Sequence, residues 1–129
     1  MATSEAVTRG IRVKVRAHYV SEHSTPDRGR WFFAYTVRIE NEGDERAQLL
    51  SRHWIITDAN GEIEEVQGPG VIGEQPVIDP GEHFEYTSAC PLPTPFGSMR
   101  GTYQMVTPRG DLFEVEIAPF ALSEPYSVN

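Results

Sequence analysis

The chain has a single cysteine, Cys90, among its 129 residues. An internal disulfide is therefore impossible, and a thiolate cluster for a metal cannot be assembled from one copy. It also lacks any stretch near the roughly 20 apolar residues that a membrane-crossing helix requires. The opening Met-Ala-Thr-Ser-Glu-Ala has neither the basic nor the apolar region of a secretion signal. The reducing cytoplasm is the expected location. Positive charge is scarce, with 11 Lys and Arg against 19 Asp and Glu, for a formal net charge of -8 at pH 7. That balance argues against a sequence-independent grip on nucleic acid or on anionic lipid, since both need cationic surface. There is no internal repeat and no amphipathic helical pattern of useful length.

What is present reads as strand. Hydrophobic residues at 39% and charged residues at 23% match ordinary globular usage, and the length suits one domain, expected over residues 3–127. Ile11, Val13, Val15, Ala17 and Tyr19 alternate with Arg12, Lys14, Arg16 and His18, which sends the two sets to opposite faces of a sheet. After Trp31, Phe33, Tyr35, Val37 and Ile39 repeat the pattern, so these two segments are expected to pair or neighbour. A richer strand runs from Leu49 to Thr57 and closes at Asn60-Gly61, with Ile63 to Val66 returning. Beyond Asp79-Pro80-Gly81 another strand carries Phe84 and Tyr86. A last hairpin joins Met99–Met105 to Phe113–Ile117 through Pro108-Arg109-Gly110-Asp111. About seven short strands predict an all-β fold, a fibronectin type III-like or immunoglobulin-like sandwich of two antiparallel sheets. Alternation does not report closure, so a small barrel stays open at this point. The expected core includes Val13, Val15, Tyr35, Val37, Ile55, Tyr86, Tyr103 and Val115.

Three segments in order, Arg52-His53-Trp54-Ile55-Ile56-Thr57-Asp58-Ala59-Asn60-Gly61, Gly68-Pro69-Gly70-Val71-Ile72-Gly73-Glu74-Gln75-Pro76 and Pro91-Leu92-Pro93-Thr94-Pro95-Phe96-Gly97-Ser98-Met99-Arg100-Gly101, closely resemble the ApaG domain family. The resemblance runs from about Val7 to Pro125 and implies a fibronectin type III-like sandwich, in agreement with the strand pattern. It also implies an association with cobalt resistance and magnesium efflux, without a settled biochemical activity. Ala89 and Ala118 stand where the family often has glycine and proline, which leaves the loop geometry expected there open.

Gly68, Gly70 and Gly73 spell G-x-G-x-x-G, yet Pro69 interrupts the motif and no helix pattern follows Gly73. The helix N-terminus that makes this motif a dinucleotide site is therefore missing. Two readings remain: an inter-strand loop using glycine for positive φ, and a shallow nest of amides for an anion. Arg12, Lys14, Arg16 and His18 form a cationic stripe, extendable by Arg38 and Arg100, which either protects a sheet edge or meets an anionic partner. His18, His23, His53 and His83 have no metal-ligand spacing, so neither metal nor cofactor is expected. Cys90 has no neighbouring base and Glu62, Glu64 and Glu65 do not have the helical spacing of a polyphosphate hydrolase, so no catalytic set is expected. The stiff segment from Pro91 to Phe96 either presents apolar groups or tucks Leu92 or Phe96 beneath it. The expectation is a non-enzymatic binding module, with Gly68, Gly70, Val71, Ile72 and Gly73 as its partner surface and an unidentified protein as partner. A phosphate-bearing small molecule at the same loop is the alternative.

Overall fold

A computed structural model describes residues 1–125, so the last two positions of the expected domain, 126 and 127, lie outside the described residues. Nine strands form: β1 (Ala2–Thr8), β2 (Ile11–Tyr19), β3 (Trp31–Asn41), β4 (Ala47–Asp58), β5 (Ile63–Pro69), β6 (Val77–Ile78), β7 (His83–Leu92), β8 (Phe96–Val106) and β9 (Leu112–Ser123). They build a four-stranded sheet in the order β1-β2-β3-β7 and a five-stranded sheet in the order β5-β4-β8-β9, with β6 also paired to β4. All pairings are antiparallel. The fold is thus a two-sheet sandwich, and the barrel alternative falls away.

Alternation explains the layering. Val13, Val15, Ala17, Phe33, Tyr35, Val37 and Ile39 leave the first sheet inward, and Leu49, Trp54, Tyr103, Met105, Val115 and Ile117 meet them from the second. Trp54 stands edge-on to Tyr35, Tyr103 and Phe120 at ring separations of 5.3, 6.4 and 6.0 Å, the geometry that aromatic quadrupoles favour. The Tyr86 and Tyr103 hydroxyls, both buried, share a 2.5 Å hydrogen bond in the interior. Burial pushes both phenols above their ordinary range. On one flank the sheets are tied directly, since the Glu116 amide of β9 donates to Thr8 Oγ1 of β1 at 3.1 Å.

The structure revises four sequence-based expectations. Strands number nine rather than about seven, because Ala2–Thr8, a run of small and polar residues, pairs along β2, and Val77–Ile78 is held against β4. Ile55 is not a core residue: Trp54 and Ile56 are buried instead. The cause is an irregularity between Leu49 and Ser51 in the β4–β8 pairing, which reverses the facing of every later β4 residue. The cationic stripe does not protect an edge, because β2 lies between β1 and β3. Ala89 and Ala118 fall inside β7 and β9, not in loops, and Ala118 sits at a register shift of the β8–β9 pairing.

Candidate functional site

The candidate site is built on the β5 edge of β4. Leu50 continues the β4–β5 register one step beyond Ser51–Pro69, so its carbonyl faces the glycine segment. It accepts the Gly70 amide at 2.8 Å and Gln75 Nε2 at 2.9 Å. Arg52, two residues on, reaches across with Nη1 donating to the carbonyls of Pro69 and Gly70, each at 3.0 Å. Its guanidinium lies over Gly68, where an added Cβ would stand 3.2 Å from Nη1. Gln48 Nε2 donates to the Gln75 carbonyl at 3.1 Å, and the Leu49 amide to the Pro76 carbonyl at 3.0 Å. The chain therefore leaves β4 at Pro69, makes an excursion, and returns at Pro76 with both ends fastened to the same strand.

The excursion is a tight hairpin. Val71 and Glu74 exchange amide and carbonyl at 2.8 and 2.9 Å, and the two residues between them, Ile72 and Gly73, hold φ of +42° and +79°. Positive φ at both central positions is the signature of a type I′ turn, which glycine or asparagine ordinarily fills. Gly73 meets that demand at no steric cost, but Ile72 is β-branched and strained there. Gly70, at φ +63°, is required twice over, since an added Cβ would also collide with the Glu74 carbonyl.

The five residues expected to form one partner surface therefore divide. Val71 is 1% exposed and packs in the core, so its side chain is not available to a partner. Gly68 and Gly70 form the fastened base, and only Ile72, 57% exposed, together with Gly73 forms the outward tip. The amides of Gly70, Val71 and Glu74 already have acceptors within the protein. An anion nest on Gly68, Gly70 and Gly73 would need the first of those donors.

Beside the base, an open concavity of about 510 Å³ is lined by Ser51, Arg52, His53, Gln67, Gly68 and Gln104. Ser51 Oγ donates to Gln104 Oε1 at 2.7 Å, and Gln104 Nε2 to Thr102 Oγ1 at 2.7 Å. His53 Nε2 lies 2.7 Å from Glu65 Oε1 and 3.3 Å from Gln67 Nε2. The carboxylate needs a proton on that nitrogen whereas the amide needs its lone pair, so one contact is satisfied at a time. Among the described residues no three His, Cys, Asp or Glu side chains gather as a metal site would require. Cys90 is buried, and its desolvation, with a contribution from the charge of Glu64, pushes the thiol up to about 12. It remains a neutral thiol near neutral pH.

The other stiff segment is a different object. Leu92 is buried and Phe96 is exposed. Between them Thr94 Oγ1 accepts the Ala59 amide at 3.1 Å and donates to the Phe96 carbonyl at 2.7 Å. In the sequence Arg52 is one residue of a longer motif. Nothing there marked it as the loop's fastening, because its acceptors are backbone carbonyls, which every residue carries.

The family model for the ApaG domain matches residues 21–107. The chain belongs to the ApaG family. Protein ApaG of Anaeromyxobacter dehalogenans (strain 2CP-C) is 60% identical over 126 residues, covering 98% of this chain and 99% of that protein. Protein ApaG of Rhodospirillum centenum is 58% identical over 120 residues, 93% of this chain and 92% of its own length. A crystal structure of the ApaA protein from Bordetella pertussis is 55% identical and superimposes with a TM-score of 0.88 over 91% of this chain and 95% of that one. The fastened hairpin thus belongs to an ApaG domain, and none of these names carries an enzymatic activity. No helix of the described residues is long and apolar enough to cross a membrane.

Proposed function

We propose that this ApaG-family chain is a non-enzymatic protein-interaction module whose contact point is the tip of the 71–74 hairpin. The observation that supports this is Ile72. A β-branched residue is held in the left-handed region while its apolar side chain faces solvent. Glycine or asparagine at that place would relax the backbone and remove an exposed apolar group together. Strain of this kind persists where a surface is used, and the fastening by Leu50, Arg52 and Gln75 keeps the tip in a single orientation. The concavity beside Arg52 and His53 gives the same partner a polar rim.

Capture of a phosphate-bearing molecule by the glycine segment is the weaker reading, because the Gly70 amide it needs is already bonded to the Leu50 carbonyl of β4. The association of the family with cobalt resistance and magnesium efflux is carried here as an effect exerted through the partner, not through chelation by this chain.

A photo-reactive residue placed at position 72, and separately at the still more exposed Leu112, tests the proposal in cells. Position 72 should give one discrete cross-linked product and position 112 none. Equal labelling from both positions, or none from 72, would overturn it.

A further inference from the structure

The outer face of the first sheet carries four cations, Arg12, Lys14, Arg16 and Arg38, that share their carboxylates unevenly. Register places Lys14 of β2 directly opposite Arg38 of β3, a like-charge pair of the kind that destabilises antiparallel strands. Arg16, opposite Thr36, stands one step along the same face. Arg12 does not share their carboxylates, for it is paired with Glu5 and Glu42. Among the described residues, Lys14, Arg16 and Arg38 have within 4 Å only Glu40 and Glu85 between them. Three cations therefore face two carboxylates.

The hydrogen bonds are fewer still. Arg38 Nε donates to Glu40 Oε2 at 3.1 Å, which holds the Glu40 carboxyl below its ordinary range. Lys14 Nζ stands 3.3 Å from Glu40 Oε1 without making a hydrogen bond to it. Glu85 lies 3.8 Å from Arg38 and 3.9 Å from Arg16, beyond hydrogen-bond reach. The Arg16 guanidinium, 51% exposed, thus has charge nearby but no acceptor among the described residues.

These donors surround a hollow. A concavity of about 410 Å³ is lined by Thr3, Lys14, Arg16 and Arg38, with Glu5 at its margin and the Ser4–Val15 strand pair crossing its floor. Val15 faces the core, so the floor there is backbone.

We propose that this concavity seats a tetrahedral oxyanion of the phosphate class, held by Lys14, Arg16 and Arg38. A planar carboxylate offers two oxygens in one plane, and one carboxylate, Glu5, already stands at the margin. A phosphate group presents oxygens in several directions, so that a guanidinium fork, an ammonium and the Thr3 hydroxyl can each take one. The bound charge would also remove the repulsion between Lys14 and Arg38. This site lies on the opposite sheet from the hairpin and does not depend on the interaction reading.

The test is a titration of the isotope-labelled full chain with inorganic phosphate and with pyrophosphate, followed by backbone amide spectra at low ionic strength. Saturable shifts are expected at Thr3, Lys14, Arg16 and Arg38, with none at 70–74, and they should weaken as salt is added. Arg16→Gln together with Arg38→Gln should weaken binding at least about tenfold, the equivalent of one lost charge-assisted bond. Arg28→Gln, at an exposed turn, should leave it unchanged. The double variant removes the opposed charges but also the Arg38–Glu40 hydrogen bond, so its melting is followed beside the titration to show that it is folded. Arg16→Gln alone, which loses no internal hydrogen bond, repeats the test without disturbing Arg38. Non-saturating shifts, shifts centred on the hairpin, or undiminished binding in these variants would overturn the proposal. Saturation of the same residues by a polyglutamate peptide, with phosphate and pyrophosphate inert, would overturn its phosphate class.

Discussion

The hairpin at 71–74 and the proline turn at 93–95 each expose one large apolar residue beside them, yet they are built on opposite principles. At the proline turn every device lowers the local free energy: the prolines stiffen the chain, Leu92 is buried beneath it, and Thr94 satisfies an amide and a carbonyl. At the hairpin, the Leu50 carbonyl of β4, a half-buried arginine and two close-fitted glycines hold a β-branched residue in a conformation it disfavours. The difference separates a connection that closes the sandwich from one that presents a side chain. Exposure alone does not distinguish them; backbone strain does.

Val71→Asp should break the comparison most violently, because it places an unpaired carboxylate in the core at the root of the hairpin. A loss of about 3 kcal/mol or more is expected in denaturant unfolding. Gly70→Ala comes next, with a loss of about 2 kcal/mol, since the added methyl meets the Glu74 carbonyl at an already positive φ. At the proline turn, Thr94→Val keeps the shape and deletes both hydrogen bonds, which should lower stability by about 1–2 kcal/mol. That variant should leave partner capture intact, whereas any distortion of the hairpin should not.

Much of this architecture was legible in the sequence, and the failures have physical causes. Period-two alternation placed β2, β3, β7, β8 and β9, because in those strands one face is core and the other wet. It failed at Ile55, where Trp54-Ile55-Ile56 offers three apolar residues in a row and a shift near Leu50 decides which faces inward. It also failed at β1, whose Ala, Ser and Thr carry little hydrophobic signal and which forms by pairing along β2. The glycine segment was legible as a special backbone but not as a division of labour. Val71 and Ile72 are adjacent and similar in size, and only the turn geometry sends one to the core and the other to solvent. Edge protection stayed open as one of two readings of Arg12, Lys14, Arg16 and His18, because the strand that covers β2 was the one the pattern did not show.

The claim that strain at Ile72 serves a contact is tested most directly by Ile72→Gly, measured for thermal stability and for capture of the partner cross-linked from position 72. Relief of the left-handed β-branched residue should raise stability by up to about 1 kcal/mol, after the greater chain entropy of glycine is counted. Capture should fall sharply at the same time, because the exposed side chain is gone. A variant that melts earlier and still captures the partner in full would contradict the account.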